Sequence, residues 1–183
     1  RLGRGALGWG EETYREVWPK REVEAVDRFL RAYWRAVLSE APALFQRRET
    51  GEILFDDHLA EDTLCMVARG GGDVAALLEM WDRKTTFAAA LHVANLVSNA
   101  MSRPWRPAAL LQEGGLGNPH WEDQEDAMRM VVDWLLNPAQ CRRLLDAFMR
   151  APRNSPESVA LAEAHDEIER ILVRRRKGAT AGA

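Results

Sequence analysis

The chain has 183 residues, 46% of them hydrophobic and 29% charged, with a formal net charge of −3. This is the composition of a folded globular domain; it excludes a low-complexity or disulfide-stapled scaffold, and so small a net charge does not by itself point to a nucleic-acid or membrane partner. A single domain of this length buries roughly 70% of the surface its unfolded chain exposes, so folding requires neither a disulfide nor a metal.

Residues 1–18 read as an N-terminal extension. The chain begins at Arg1, and RLGRGALGWG is basic without an apolar h-region, so no secretory leader is read there. Cys65 and Cys141 fall inside apolar helical patterns. Two thiols so placed fit a reducing compartment, and the expected location is cytoplasmic.

Trp18-Pro19 opens the first helix, predicted over 19–39, with proline in the first turn. Val23, Val26, Leu30, Tyr33 and Val37 recur at steps of three and four, Phe29 and Leu38 widen the stripe, and Ala41-Pro42 closes it. Residues 43–55 read as an irregular link with a turn at Thr50-Gly51, because β-branched alternation and Asn-Gly or Asp-Gly hairpin signals are absent.

The segment FDDHLAED, residues 55–62, gathers four carboxylates and a histidine. A Mg²⁺–diphosphate site of the DDxxD kind, used by class I terpene synthases, needs oxygen ligands one helical turn apart. The fifth position here is Ala60, and no second acidic motif follows. The segment reads instead as the start of a helix over 57–69. Asp56 or Asp57 supplies the cap, and Glu61 and Asp62 lie in the first turn or two, where the helix dipole favours anions. Gly70-Gly71-Gly72 stops this helix, and Asp73 caps the next, over 73–82.

Thr85 to Ser102 contains no Asp, Glu, Lys or Arg, yet it is too polar and short for the ~20 apolar residues of a membrane span. It reads as a core helix over 85–101. His92, Asn95, Asn99 and Ser102 form a polar stripe on it, at steps of three, four and three. An unpaired buried polar group costs ~1–3 kcal/mol, so the stripe needs partners, water or a ligand. It therefore defines an alternative pocket with His92 as the titratable member. Residues 103–118, with Pro104, Pro107, Gly114, Gly115 and Gly117, read as a long surface loop.

Asn118-Pro119, Asn137-Pro138 and Ser155-Pro156 each place a capping side chain before a proline and start helices over 119–136, 138–150 and 156–176. Gln140 completes a capping-box pattern with Asn137. Asp73, Trp81 and Leu91 repeat the spacing of Asp126, Trp134 and Leu144, as a helical-hairpin repeat would. The last helix runs from Glu157, Glu163, Asp166, Glu167 and Glu169 to Arg170, Arg174, Arg175, Arg176 and Lys177, an order that complements its dipole. The basic end is only a weak phosphate-contact signal. Residues 177–183 read as a disordered tail. The fold expected is all-α: a single-domain compact bundle, or a short HEAT-like array of helical hairpins, with about seven helices over 19–176.

The motifs that carry chemistry are incomplete. His165-Asp166 lacks the downstream Asp that an HD-type phosphohydrolase metal site needs. Glu-x-x-His pairs, His-Glu-x-x-His, a P-loop and Gly-x-Ser-x-Gly are all missing. No catalytic residue, metal ligand or cofactor is assigned. The expected function is a non-catalytic protein–protein interaction domain, an adaptor, regulator or complex subunit. Among seven tryptophans, Trp105, Trp121 and Trp9 lie in or beside loops and are the expected partner-binding anchors. Trp34, Trp81 and Trp134 sit within helices and are expected in the core. The partner is another protein or a second copy; nucleic acid and membrane are not expected. The alternative is a small ligand-binding protein or enzyme built on His92, Asn95, Asn99 and Ser102.

Overall fold

Helices begin where a side-chain oxygen can meet the free amides of the first turn, and three starts do so as the sequence predicts. Asp73 Oδ1 accepts from the Ala76 amide at 2.9 Å, Asn137 Oδ1 from Ala139 at 3.0 Å, and Ser155 Oγ from Ser158 at 3.2 Å. The computed structural model describes residues 14–101, 116 and 118–181. Among these, eight α-helices occur: α1 (Tyr14–Val17), α2 (Lys20–Val37), α3 (Leu59–Arg69), α4 (Val74–Asp82), α5 (Phe87–Met101), α6 (Glu125–Leu135), α7 (Pro138–Phe148) and α8 (Pro156–Ala181). The fold is compact and mostly helical, as the capped periodic segments require.

Four local expectations are corrected. Residues 43–55 are not irregular: β1 (Leu44–Gln46) pairs antiparallel with β2 (Ile53–Phe55), Leu44 opposite Phe55 and Gln46 opposite Ile53. The turn falls where it was read, with Gly51 at φ 73°. Strands of three residues are too short to display alternation, so the sequence carries only the turn. The helix read over 119–136 is divided into a 3-10 turn, Pro119–Trp121, and α6; Asp123 breaks the path at φ 64°. Gln140 forms no capping box, because its buried amide donates to Asp82 Oδ1 at 3.1 Å and its carbonyl accepts from Arg143 at 2.8 Å. The final helix continues past Lys177 to Ala181.

The stripe on α2 is also displaced. Leu30, Trp34, Val37 and Leu38 are buried, whereas Phe29 and Tyr33 face outward. Trp34 outranks Tyr33 because its larger ring fills the core while its Nε1 donates to the Leu77 carbonyl at 2.9 Å.

The core is organised around α5, which packs on α8, α7 and α3, with α2 and α4 beyond. Trp81 lies fully buried at its edge and donates to the Ala89 carbonyl at 2.9 Å. Trp34 meets it edge-on at 5.2 Å between centroids, and half-buried Trp134 lies tilted against it at 4.7 Å. The two tryptophans of the echoed spacing are thus in contact. The β-hairpin lies over α5 and α8. Among the described residues no helix is long and apolar enough to cross a membrane.

Candidate functional site

Two segments that looked separate in the sequence meet in the fold: the acidic run Asp56–Asp62 and the polar stripe of α5. Asn95 Nδ2 donates to the Asp57 carbonyl at 2.6 Å, and Asn95 Oδ1 lies 2.7 Å from His58 Nδ1. An amide oxygen only accepts, so His58 carries its proton on Nδ1 in this contact. Asn99 Nδ2 donates to Glu61 Oε2. Trp121 Nε1 donates to Glu61 Oε1 at 2.9 Å. Asp62 accepts from Asn118 Nδ2 at 3.0 Å.

Glu61 is therefore not a dipole-facing surface acid, as its place in the first turn implied. It is 2% exposed, and its helix turns it inward between α5 and the 3-10 turn. Burial raises its pKa; the bonds from Asn99 and Trp121 and the nearby His58 pull the other way without cancelling that effect. Neither aspartate is the cap: α3 starts at Leu59 with His58 in the cap position and no side-chain cap bond, and Asp57, one residue earlier, only accepts from the Leu59 amide at 3.2 Å in a local turn. Asp56 remains exposed.

His92 is buried against the C-terminal end of α2. Its Nε2 donates to the carbonyls of Val37 at 2.8 Å, which also accepts from the Glu40 amide at 3.3 Å, and of Glu40 at 3.0 Å, in the turn just after α2. Among the described residues Nδ1 has no hydrogen-bond partner. Burial lowers the His92 pKa, so the ring is neutral at pH 7. The sequence grouped His92, Asn95, Asn99 and Ser102 as one pocket. The structure gives His92, Asn95 and Asn99 separate partners along α5, and Ser102 lies outside the described residues.

The expected anchors divide in the same way. Trp121 is 2% exposed and bonded to Glu61, which corrects its reading as an exposed docking residue. The reason is the 3-10 turn, which folds the indole under α3 instead of leaving it on a loop. Trp9 and Trp105 lie outside the described residues.

A second polar cluster closes α4. Arg143 donates to the carbonyls of Trp81 at 3.2 Å and Asp82 at 3.0 Å, while Asp82 Oδ1 accepts from Trp134 Nε1 at 3.0 Å. The Arg143 guanidinium also lies over the Trp134 ring, 6.0 Å from its centroid.

A cleft of about 170 Å³ opens on the other side of α5, beneath the hairpin. Ile53, Phe55, Ala94, Val97, Ala160 and Ala164 provide its apolar walls, and Glu52 and Glu163 its acidic side. Neither His92 nor Glu61 lines it. No spacing in the sequence announces this cleft, because its walls come from three elements.

On α8, His165, Asp166 and Glu169 each bring one ligand atom within 4.8 Å of the others. They occupy adjacent positions of an outward helix face, with the His165 ring 3.1 Å from Asp166. One helix turn supplies only part of a cation's coordination and leaves the rest to water. Cys65 is buried, and burial pushes its thiol well above the usual range, away from nucleophilic use.

One surface feature was misassigned by the sequence. Phe29 is 65% exposed and stacks on Tyr33, with ring centroids 6.2 Å apart. Ala25, Ala32 and Ala36 share their face and are exposed as well. The steps of four, three, one and three across this set carry the signal: a second apolar stripe beside the core-facing one.

Comparison with protein-family models, with curated proteins and with solved structures finds no match for the chain.

Proposed function

We propose that this chain is a non-catalytic helical interaction domain that docks another protein along the outer face of α2. The observation that carries this reading is the exposed Phe29–Tyr33 stack. Aromatic side chains lose little rotamer freedom on binding and dominate interface energetics. A stripe of Ala25, Phe29, Ala32, Tyr33 and Ala36 is flat enough to receive a partner helix, with the two rings as knobs. Arg28, Arg31 and Arg35 flank it and are exposed, so the complementary partner carries acidic side chains beside its apolar ones. The polar groups at the α3–α5 contact support the same reading, since Asn95, Asn99 and Glu61 are already engaged with one another or with the backbone.

The test is a pair of serine substitutions, Phe29→Ser and Tyr33→Ser. Each is expected to leave the helical circular-dichroism spectrum and the melting temperature nearly unchanged. Co-purification of a cross-linked partner, or self-association followed by sedimentation, is expected to fall about tenfold or more in affinity. Reversing Arg31 and Arg35 to Glu separates charge recognition from packing. A large fall in melting temperature with association unchanged would remove the docking role from this face.

A further inference from the structure

We propose that the cleft beneath the hairpin is a binding site for a small organic ammonium ion whose apolar body is about the size of one aromatic ring. Three elements build it. β2 contributes Ile53 and Phe55, α5 contributes Ala94, Val97 and Ser98, and α8 contributes Ala160, Glu163 and Ala164. The alanines decide the volume: where α5 and α8 cross, both present methyl groups, and a void of about 170 Å³ remains beside Phe55. An enclosed apolar cavity of ~150 Å³ accepts benzene; this cleft has a similar volume but is open to solvent on its acidic side, so by size it admits one ring or a branched alkyl group with a polar end left at the mouth.

The charge of the ligand follows from the rim. Glu52, at the end of the hairpin loop, and Glu163, on α8, both line the cleft. Glu52 is held by Arg47 at 2.9 Å. Glu163 has no ion-pair partner among the described residues and feels the charge of Glu52. Partial burial, first, and that like charge, second, both disfavour its ionised form and raise its pKa. A cation at this rim offsets both effects by its opposite charge, and the N–H donors of an ammonium match carboxylate oxygens as acceptors. An anionic ligand meets the unpaired charge of Glu163 beside the ion-paired Glu52, and a neutral one leaves the repulsion in place. A hydrated metal ion gains nothing from the apolar side of the cleft, formed by Ile53, Phe55 and Ala160. The site is independent of α2, so the docking reading and this one stand or fall separately.

Benzylammonium is the probe, titrated into the intact chain at pH 7 by calorimetry and by amide shifts. The expected result is saturable one-to-one binding with shifts centred on Ile53, Ala94, Val97 and Ala160. Benzyl alcohol and benzoate are expected to bind about tenfold more weakly or worse. Glu163→Gln, which keeps the side-chain shape at the cleft rim and is expected to keep the helical circular-dichroism spectrum, should weaken benzylammonium about tenfold while leaving benzyl alcohol unchanged. Ala164→Leu fills the cleft and should abolish binding of all three; if it unfolds the chain, Glu163→Gln alone decides. Equal binding of benzyl alcohol and benzylammonium, indifference to Glu163→Gln, shifts confined to another surface, or no saturable binding would each overturn the proposal.

Discussion

Trp121 Nε1 donates to Glu61 Oε1 at 2.9 Å, joining two buried side chains that are sixty positions apart in the chain. The bond ties the 3-10 turn before α6 to the first turn of α3, and Asn99 of α5 holds the second carboxylate oxygen. A carboxylate accepting two donors in a buried site is satisfied geometrically but still poorly solvated.

That balance makes Glu61 a source of pH-dependent stability. Its folded pKa is raised above the ordinary 4.5, so the folded state holds a proton that the unfolded chain releases. The stability linked to that proton is fully present below pH 4.5 and is lost as pH rises through the folded pKa. Urea unfolding across this range should show the wild type losing stability relative to Glu61→Gln as pH rises. A stability difference that is flat with pH would show that Glu61 ionises normally in the fold.

His92 acts with the opposite sign. Its folded pKa lies below the ordinary 6.5, so acidification protonates the unfolded chain first. Stability is expected to fall as pH drops below 6.5 and to go on falling until the folded pKa is passed. His92→Gln keeps a donor for the Val37 carbonyl and removes the titration. The mutant's unfolding free energy should lose this acid limb, and an unchanged limb would assign it elsewhere.

Asn95→Ala should cost about 2 kcal/mol, because it strands the Asp57 carbonyl and the His58 Nδ1–H in a partly buried site. Asp57→Ala removes one acceptor from the Leu59 amide and should cost about 0.5–1 kcal/mol. Asp56→Ala should change little, since Asp56 is exposed and among the described residues only its backbone amide is engaged, by the Ala43 carbonyl at 2.9 Å. Thermal or chemical unfolding gives the order directly. A larger loss for Asp56 than for Asn95 would contradict the network.

Gly72 is required by space. A Cβ there would lie 2.6 Å from Val67 Cγ1 and 3.0 Å from the Val67 carbonyl oxygen, which accepts the Gly72 amide at 2.8 Å. Gly72→Ala should destabilise by about 1–3 kcal/mol. Adding Val67→Ala removes the side-chain contact but not the backbone one, so a double-mutant cycle should show partial rescue. Full additivity would place the strain outside this pair.

The helices were legible because their signals are local. Asp73, Asn137 and Ser155 cap in the structure as their sequence positions predict, and Gly51 turns where it was expected to turn. The hairpin was not legible, because Leu44–Gln46 and Ile53–Phe55 are too short to show a period and are ordered by packing on α5 and α8. Phe29 and Trp34 illustrate a second limit: α2 carries two apolar stripes, and only the tertiary contact with Leu77 and Trp81 decides which one turns inward. The site residues obey the same rule. Glu61 was expected as a dipole-facing acid and Trp121 as a docking indole, yet both are buried against each other, because their contact spans the chain and leaves no spacing to detect. Glu52 and Glu163 converge for the same reason.

The position of α5 has a consequence for the order in which the molecule can be made. The carbonyls at the end of α2 wait for His92, the start of α3 waits for Asn95, and Glu61 waits further, for Trp121. A ribosome releasing this chain therefore exposes the apolar faces of α2, α3 and α4 before their polar fasteners have been synthesised. Native structure in the first half is gated by emergence of the second, and contacts of such long sequence separation slow folding relative to a bundle of neighbouring helices. A fragment ending before Phe87 is expected to remain without protected amides in α3, and to gain them only when α5 and the 3-10 turn are supplied.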